Sequence, residues 1–161
     1  MIVVADSSPV IALVNIGHIG LLPELFQRVF VPPAVMRELR SQRRTPEIRD
    51  WAERAPEWLI ELRPKREDPI GQLDAGETAA IHLAMELGAG VLLIDEAKGR
   101  RAAEDRRIEV TGTIGVLELA AGRGRIDLQH AFERLSSTDF WVTPKFLAER
   151  LRVFRARRGQ A

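Results

Sequence analysis

Two carboxylates stand where apolar strands should end. Ile2-Val3-Val4-Ala5 runs into Asp6-Ser7-Ser8-Pro9, and Val91-Leu92-Leu93-Ile94 runs into Asp95-Glu96. Each run is short and wholly apolar, as a parallel strand covered on both faces would be, and each acid is followed at once by a helical pattern. In open α/β sheets the ligand crevice lies outside the carboxyl ends of the strands, so both acids belong at such a crevice. Acids converging there with no Cys and no His nearby are the donors of a hard cation, which points to magnesium or manganese.

Two helical acids stand beside that pair. Glu77 shares its helix face with Ala80, Ile81 and Ala84, so it points inward. The same residue completes Asp74-Ala75-Gly76-Glu77, which has capping-box spacing with Asp74 as N-cap. Capping and metal ligation are both open to it. Glu38, after Val35 and flanked by Arg37 and Arg40, is either a solvated face residue or a ligand. Asp6 could instead open an Asx turn into a helix at Pro9, and Asp95 could favour the positive N-terminus of the helix that follows it. Their joint occurrence argues for a shared role. A hard divalent cation takes several oxygens, which carboxylates from separate elements can supply, whereas the same acids clustered alone repel one another.

Positioning these groups falls to alternating helices and strands. Ser8 is read as the cap of a helix beginning at Pro9, His18 to Phe26 as a second short helix, and Val29 to Val31 as a strand. Pro32-Pro33 opens the Glu38 helix, Thr45-Pro46 opens one carrying Trp51, and Leu59 to Leu62 suits a strand. The clearest helix runs from Asp74 to Leu87 and stops at Gly88 and Gly90, just before the Val91 to Ile94 strand. Glu96 to Arg107 reads as a charged helix with Ala97 and Ala102 inward, Ile108 to Val110 as a strand, and Thr113 to Ala121, Asp127 to Leu135 and Thr143 onward as helices. The alternation predicts a three-layer α/β/α sandwich with a central, mainly parallel sheet. Right-handed crossovers put Asp6 and Asp95 on one edge of it. Residues 1–142 are expected to form that domain, with 143–161 a C-terminal helix and arginine-rich tail, either part of it or a partner-docking extension.

Composition narrows the classes. A length of 161 residues suits one domain with a real core. A net charge of +1 excludes a uniformly basic nucleic-acid glove, though not local patches. With no cysteine there can be no disulfide framework, zinc-thiolate site or thiol catalysis. The chain opens on a strand pattern and has no membrane-length apolar run, so a soluble, cytoplasmic protein is expected.

Taken in order, Asp6-Ser7-Ser8-Pro9, Glu38 in Val35-Met36-Arg37-Glu38-Leu39, Gly76-Glu77-Thr78-Ala79-Ala80-Ile81 and Leu92-Leu93-Ile94-Asp95-Glu96 resemble the four acidic motifs of PIN-domain ribonucleases. The similarity is nearest to a prokaryotic branch related to VapC-type toxins. It takes in Gly99-Arg100 and Thr111-Gly112-Thr113-Ile114-Gly115, and spans roughly Met1 to Gly124. In many VapC-like proteins the third acid is an aspartate, and Glu77 holds the matching place here. The resemblance implies magnesium- or manganese-dependent cleavage of RNA, frequent homodimers, and an antitoxin protein as partner.

On that reading Asp6, Glu77 and Asp95 hold the metal, and Glu38 completes the catalytic set, as a ligand through water or by orienting the attacking water. No protein nucleophile is needed, and the three histidines, His18, His82 and His130, are scattered. His82 suits a structural role. Basic residues gather at Arg40, Arg43 and Arg44, at Lys98, Arg100 and Arg101, and from Arg150 to Arg158, where they form either a solvated helix end or an RNA clamp. Trp51, Trp58 and Trp141 suit packing better than base stacking. Two other readings stand beside the nuclease: a non-catalytic PIN-like binding or scaffold module, and a receiver-like phosphoacceptor using Asp95, which lacks a later strand-end lysine.

Overall fold

A computed structural model describes residues 1–159. The strands are β1 (Val3–Ala5), β2 (Val29–Val31), β3 (Leu59–Glu61), β4 (Val91–Leu93) and β5 (Val110–Thr111). The helices are α1 (Ser7–Asn15), α2 (Leu21–Phe26), α3 (Pro33–Leu39), α4 (Pro46–Glu53), α5 (Ala75–Leu87), α6 (Ala97–Glu104), α7 (Thr113–Gly122), α8 (Leu128–Ser136) and α9 (Pro144–Gly159).

All five strands run parallel, in the order β3-β2-β1-β4-β5. From β1 the chain steps outward through β2 to β3, then crosses back to lay β4 on the other side of β1. Right-handed crossovers moving in opposite directions place their helices on opposite faces, which makes the three-layer α/β/α sandwich. The reversal falls between β1 and β4, and at such a switch point the loops beyond the carboxyl ends part and leave a crevice. Val3 pairs with Val91, Val4 with Leu92 and Ala5 with Leu93. Val3, Val4 and Ala5 are fully buried, as the apolar run requires of a central parallel strand.

Local signals set most helix ends. Thr45 accepts the Ile48 amide at 3.4 Å, with Pro46 as the first helical residue of α4. Asp74 caps α5, and Gly88 ends it at φ 60°, in the left-handed region where a Cβ is strained. α5 packs against β1 and β4. Its Ala80, Ile81, Leu83 and Ala84 join Val4, Leu92, Ile94 and Ala103 in one buried cluster. Truncating Ile81 or Leu83 to alanine there would cost about 2 to 5 kcal/mol.

Several details differ from expectation. α1 begins at Ser7 rather than Pro9, because Ser8 uses its hydroxyl on Asp95 and the extended Asp6 takes the cap position. Helix α2 starts only at Leu21, after a turn at Gly17 with φ 76°. In α6 Gly99 and Ala103 are buried and Ala102 packs half-buried against the core as expected, while Ala97 is exposed.

The chain forms two compact units, one up to Thr113 and one from Ile114 onward. The first holds the whole sheet. In the second, Arg150 on α9 grips Glu118 on α7 with two hydrogen bonds, at 3.1 and 2.5 Å, and Arg158 donates to the Ala121 carbonyl at 3.0 Å. Among the described residues no helix is long and apolar enough to cross a membrane.

Candidate active site

Asp6 leaves β1 at the switch point with its amide still in the ladder, donating to the Leu93 carbonyl at 2.9 Å. The residue is 5 % exposed, and its Oδ1 is buried without a hydrogen-bond partner. It makes no side-chain cap to α1, so the Asx-turn role is not taken up. The next two residues reach sideways to other acids. Ser7 Oγ donates to Glu38 Oε2 at 2.7 Å, and Ser8 Oγ donates to Asp95 Oδ2 at 3.0 Å. One turn of α1 thereby ties together acids supplied by α3 and by the end of β4.

Asp95 does not cap the helix that follows it. Its Oδ1 accepts the Thr113 amide at 2.7 Å and its Oδ2 accepts the Thr113 hydroxyl at 2.8 Å, at the start of α7. Gly112 allows this approach. A Cβ there would stand 2.7 Å from Asp95 Oδ1 and 2.9 Å from Arg100 Nη1, so a guanidinium and a carboxylate share the space above that glycine.

Glu38 is paired with Arg44, whose Nη2 donates to Oε1 at 3.2 Å. The flanking Arg40 turns instead toward the Ala52 carbonyl and Glu61. Glu77 takes up one of its two expected roles and leaves room for the other. The capping box is complete: Glu77 N donates to Asp74 Oδ1 at 2.8 Å, and Asp74 N donates to Glu77 Oε1 at 3.4 Å. Its second oxygen, Oε2, is buried with no partner, 2.7 Å from where a Cβ on Gly99 would stand.

These carboxyls feel one another. Burial, opposed by a hydrogen bond from the Ser7 amide and reinforced by the charges of Asp74, Glu38 and Asp95, pushes Asp6 up to about 7. Burial also raises Glu77, with the neighbouring Asp74 carboxyl and Asp6 adding to it. Asp74 is thus a member of the cluster that reading it as a cap overlooked. A hard cation suits this donor set, which is all oxygen and includes two buried oxygens that no protein group satisfies. Among the described residues no group of three or more carboxylate, imidazole or thiolate side chains is already gathered for coordination. Hydroxyl, amide and guanidinium donors already engage Glu38 and Asp95.

Other candidates have structural employment. His82 Nε2 lies 2.8 Å from the Asp68 carbonyl, a structural contact as expected. Trp51 and Trp58 pack on each other with centroids 6.2 Å apart. Arg155 bonds Gln129 at 2.7 Å, and Arg158 lies over the Phe154 ring. Trp141 differs from the packing expected of it, being 91 % exposed and outside the core.

A family model described as a PIN domain matches residues 2–156, nearly the whole chain. No curated protein matches it.

Proposed function

Because the chain belongs to the PIN-domain family, whose fold is of the nuclease type, we propose that it is a magnesium- or manganese-dependent endoribonuclease and the toxin of a toxin-antitoxin pair. The observation that supports this most is the buried, unpartnered Asp6 Oδ1 at the sheet's switch point, surrounded by carboxylates from three other elements. Asp6, Glu77 and Asp95 would hold the ion. When bound, a divalent cation supplies a more acidic water and neutralises charge on phosphate oxygens. Glu38, less buried and paired with Arg44, would orient the attacking water. Arg44 lies beside Glu38 and Arg100 beside Gly112 and Asp95, and a guanidinium can meet a phosphate with two hydrogen bonds. Ser7, Ser8 and Thr113 fix the carboxylates that they bind.

The test is cleavage of single-stranded RNA with manganese against chelator. Asp6→Asn, Glu77→Gln and Asp95→Asn should each lower the rate by on the order of 100-fold with the fold retained. A Glu77→Gln protein of full activity would leave Glu77 as a cap alone. The rival reading, a binding scaffold, draws on the Arg44 to Glu38 ion pair, which satisfies one acid without metal. A scaffold need bind no manganese.

An antitoxin segment or a second copy would cover the aromatics around Trp141 and Phe146, the latter 49 % exposed. Light scattering at micromolar concentrations, with and without residues 143–161, tests the homodimer. A monomer in both cases would remove it.

A further inference from the structure

Gly76 lies between the α5 cap and the third acid, and its missing side chain marks a definite point in space. A Cβ there would be 3.3 Å from Asp6 Oδ1, 3.3 Å from Glu38 Oε2 and 3.5 Å from Asp74 Oδ1. Three carboxylate oxygens, from the end of β1, from α3 and from the α5 cap, therefore face one small volume. It stays open because residue 76 is glycine. Asp6 is itself 5 % exposed, and the oxygen it aims into that volume has no partner. A buried polar atom in that state is costly unless a donor or a cation meets it.

Asp74 has an evident duty as the N-cap of α5, accepting the Glu77 amide through Oδ1 at 2.8 Å. That hydrogen bond occupies one of about four lone-pair sites on the carboxylate. Serine or asparagine caps a helix as well as aspartate does. Either would do so without setting a negative charge beside a buried carboxylate. The helix dipole favours a negative charge at position 74 only weakly, against the repulsion from the buried Asp6 beside it, whereas a cation at the Gly76 point accounts for both the charge and the glycine.

We propose that Asp74 is a further ligand of the divalent cation, joining Asp6 from the α5 cap on the side that Glu38 also faces, with Gly76 left without a side chain to make room. The inference rests on the metal-dependent reading above. Hard cations hold oxygen at roughly 2.0 to 2.6 Å and magnesium keeps several waters, so Asp74 acts after a small closure of the cluster or through a retained water.

Manganese titration of the full chain by calorimetry tests this, with melting in chelator as the control for folding. Asp74→Asn and Asp74→Ser should each weaken manganese binding at least tenfold while melting no lower than wild type in chelator, because both preserve the cap. Gly76→Ala should also weaken binding, by filling the volume. If wild type binds manganese and both Asp74 variants bind it equally well, Asp74 is only a cap and the inference fails while the metal-dependent reading stands. Absence of manganese binding in wild type itself overturns both.

Discussion

Asp6 and Glu77 are the two carboxyls that the fold raises furthest, and Asp6 is the more deeply enclosed by other acids. Its carboxyl is raised from 3.8 to about 7, so the native state binds this proton more tightly than the unfolded chain does. A carboxyl raised in the fold contributes stability that is complete below its unfolded pKa and lost as pH rises through its folded one. The metal-free protein should therefore lose stability between about pH 4 and pH 8, on the order of a few kcal/mol from a shift of this size. Glu77 acts in the same direction. Asp6→Asn should melt higher than wild type in chelator at pH 8 and gain nothing at pH 4, where Asp6 is already neutral; thermal scans across that range check it. Asp95→Asn should behave differently. Its two oxygens accept three hydrogen bonds, so the substitution should lower stability by about 1 to 3 kcal/mol, measured by the urea midpoint. Spacing could not separate cap from ligand for Glu77, because both roles need the side chain turned toward the start of α5. In the structure Oε1 closes the capping box, while Oε2 is buried without a partner. Arg44 as the partner of Glu38, and Asp74 as a neighbour of Asp6, left no mark in the sequence, since neither contact follows from local periodicity.

Helix α6 reaches the cluster through a glycine. A Cβ on Gly99 would stand 2.6 Å from Ile94 Cδ1 and 2.7 Å from Glu77 Oε2, closer than real Cβ contacts run. Gly99→Ala should cost about 1 to 3 kcal/mol by overpacking, despite the better helix propensity of alanine, and should displace the Glu77 carboxyl; the urea midpoint and manganese affinity should fall together. α5 was the most legible element, with its cap, apolar face and Gly88 stop all local. α6 was misread at Ala97, which is exposed, because the buried position beside Glu77 is a glycine, which hydrophobicity does not mark. The opening of α1 was misread for a related reason, in that the Ser8 hydroxyl serves a distant acid instead of its own helix.

At the scale of the molecule, metal and proton compete for the same oxygens. Manganese at 100 times its dissociation constant should stabilise the fold by about 2.7 kcal/mol. That gain should be larger at pH 8 than at pH 6, since Asp6 must lose its proton to bind, and should be nearly absent in Asp6→Asn. Calorimetric melting with and without manganese at the two pH values measures it. A gain independent of pH would remove Asp6 from the site. The parallel sheet and its layers were legible because alternating apolar runs and helices allow few other architectures. The order β3-β2-β1-β4-β5 was not, because nothing in a three-residue apolar strand names its neighbours. Nor did any composition change announce the division after Thr113.

The pairing of β1 with β4 also sets a schedule. Val3 meets Val91, 88 positions further along the chain, while β1 occupies the middle of the sheet. Such a distant contact is slow to form and stays unavailable on the ribosome until the later strand has emerged. At about 5 to 20 residues per second, β1 and Asp6 wait some ~4 to 18 s for the strand that delivers Asp95. Until that strand arrives the nascent chain lacks Asp95 and has no crevice. An activity that depends on the cluster cannot begin before translation has passed β4.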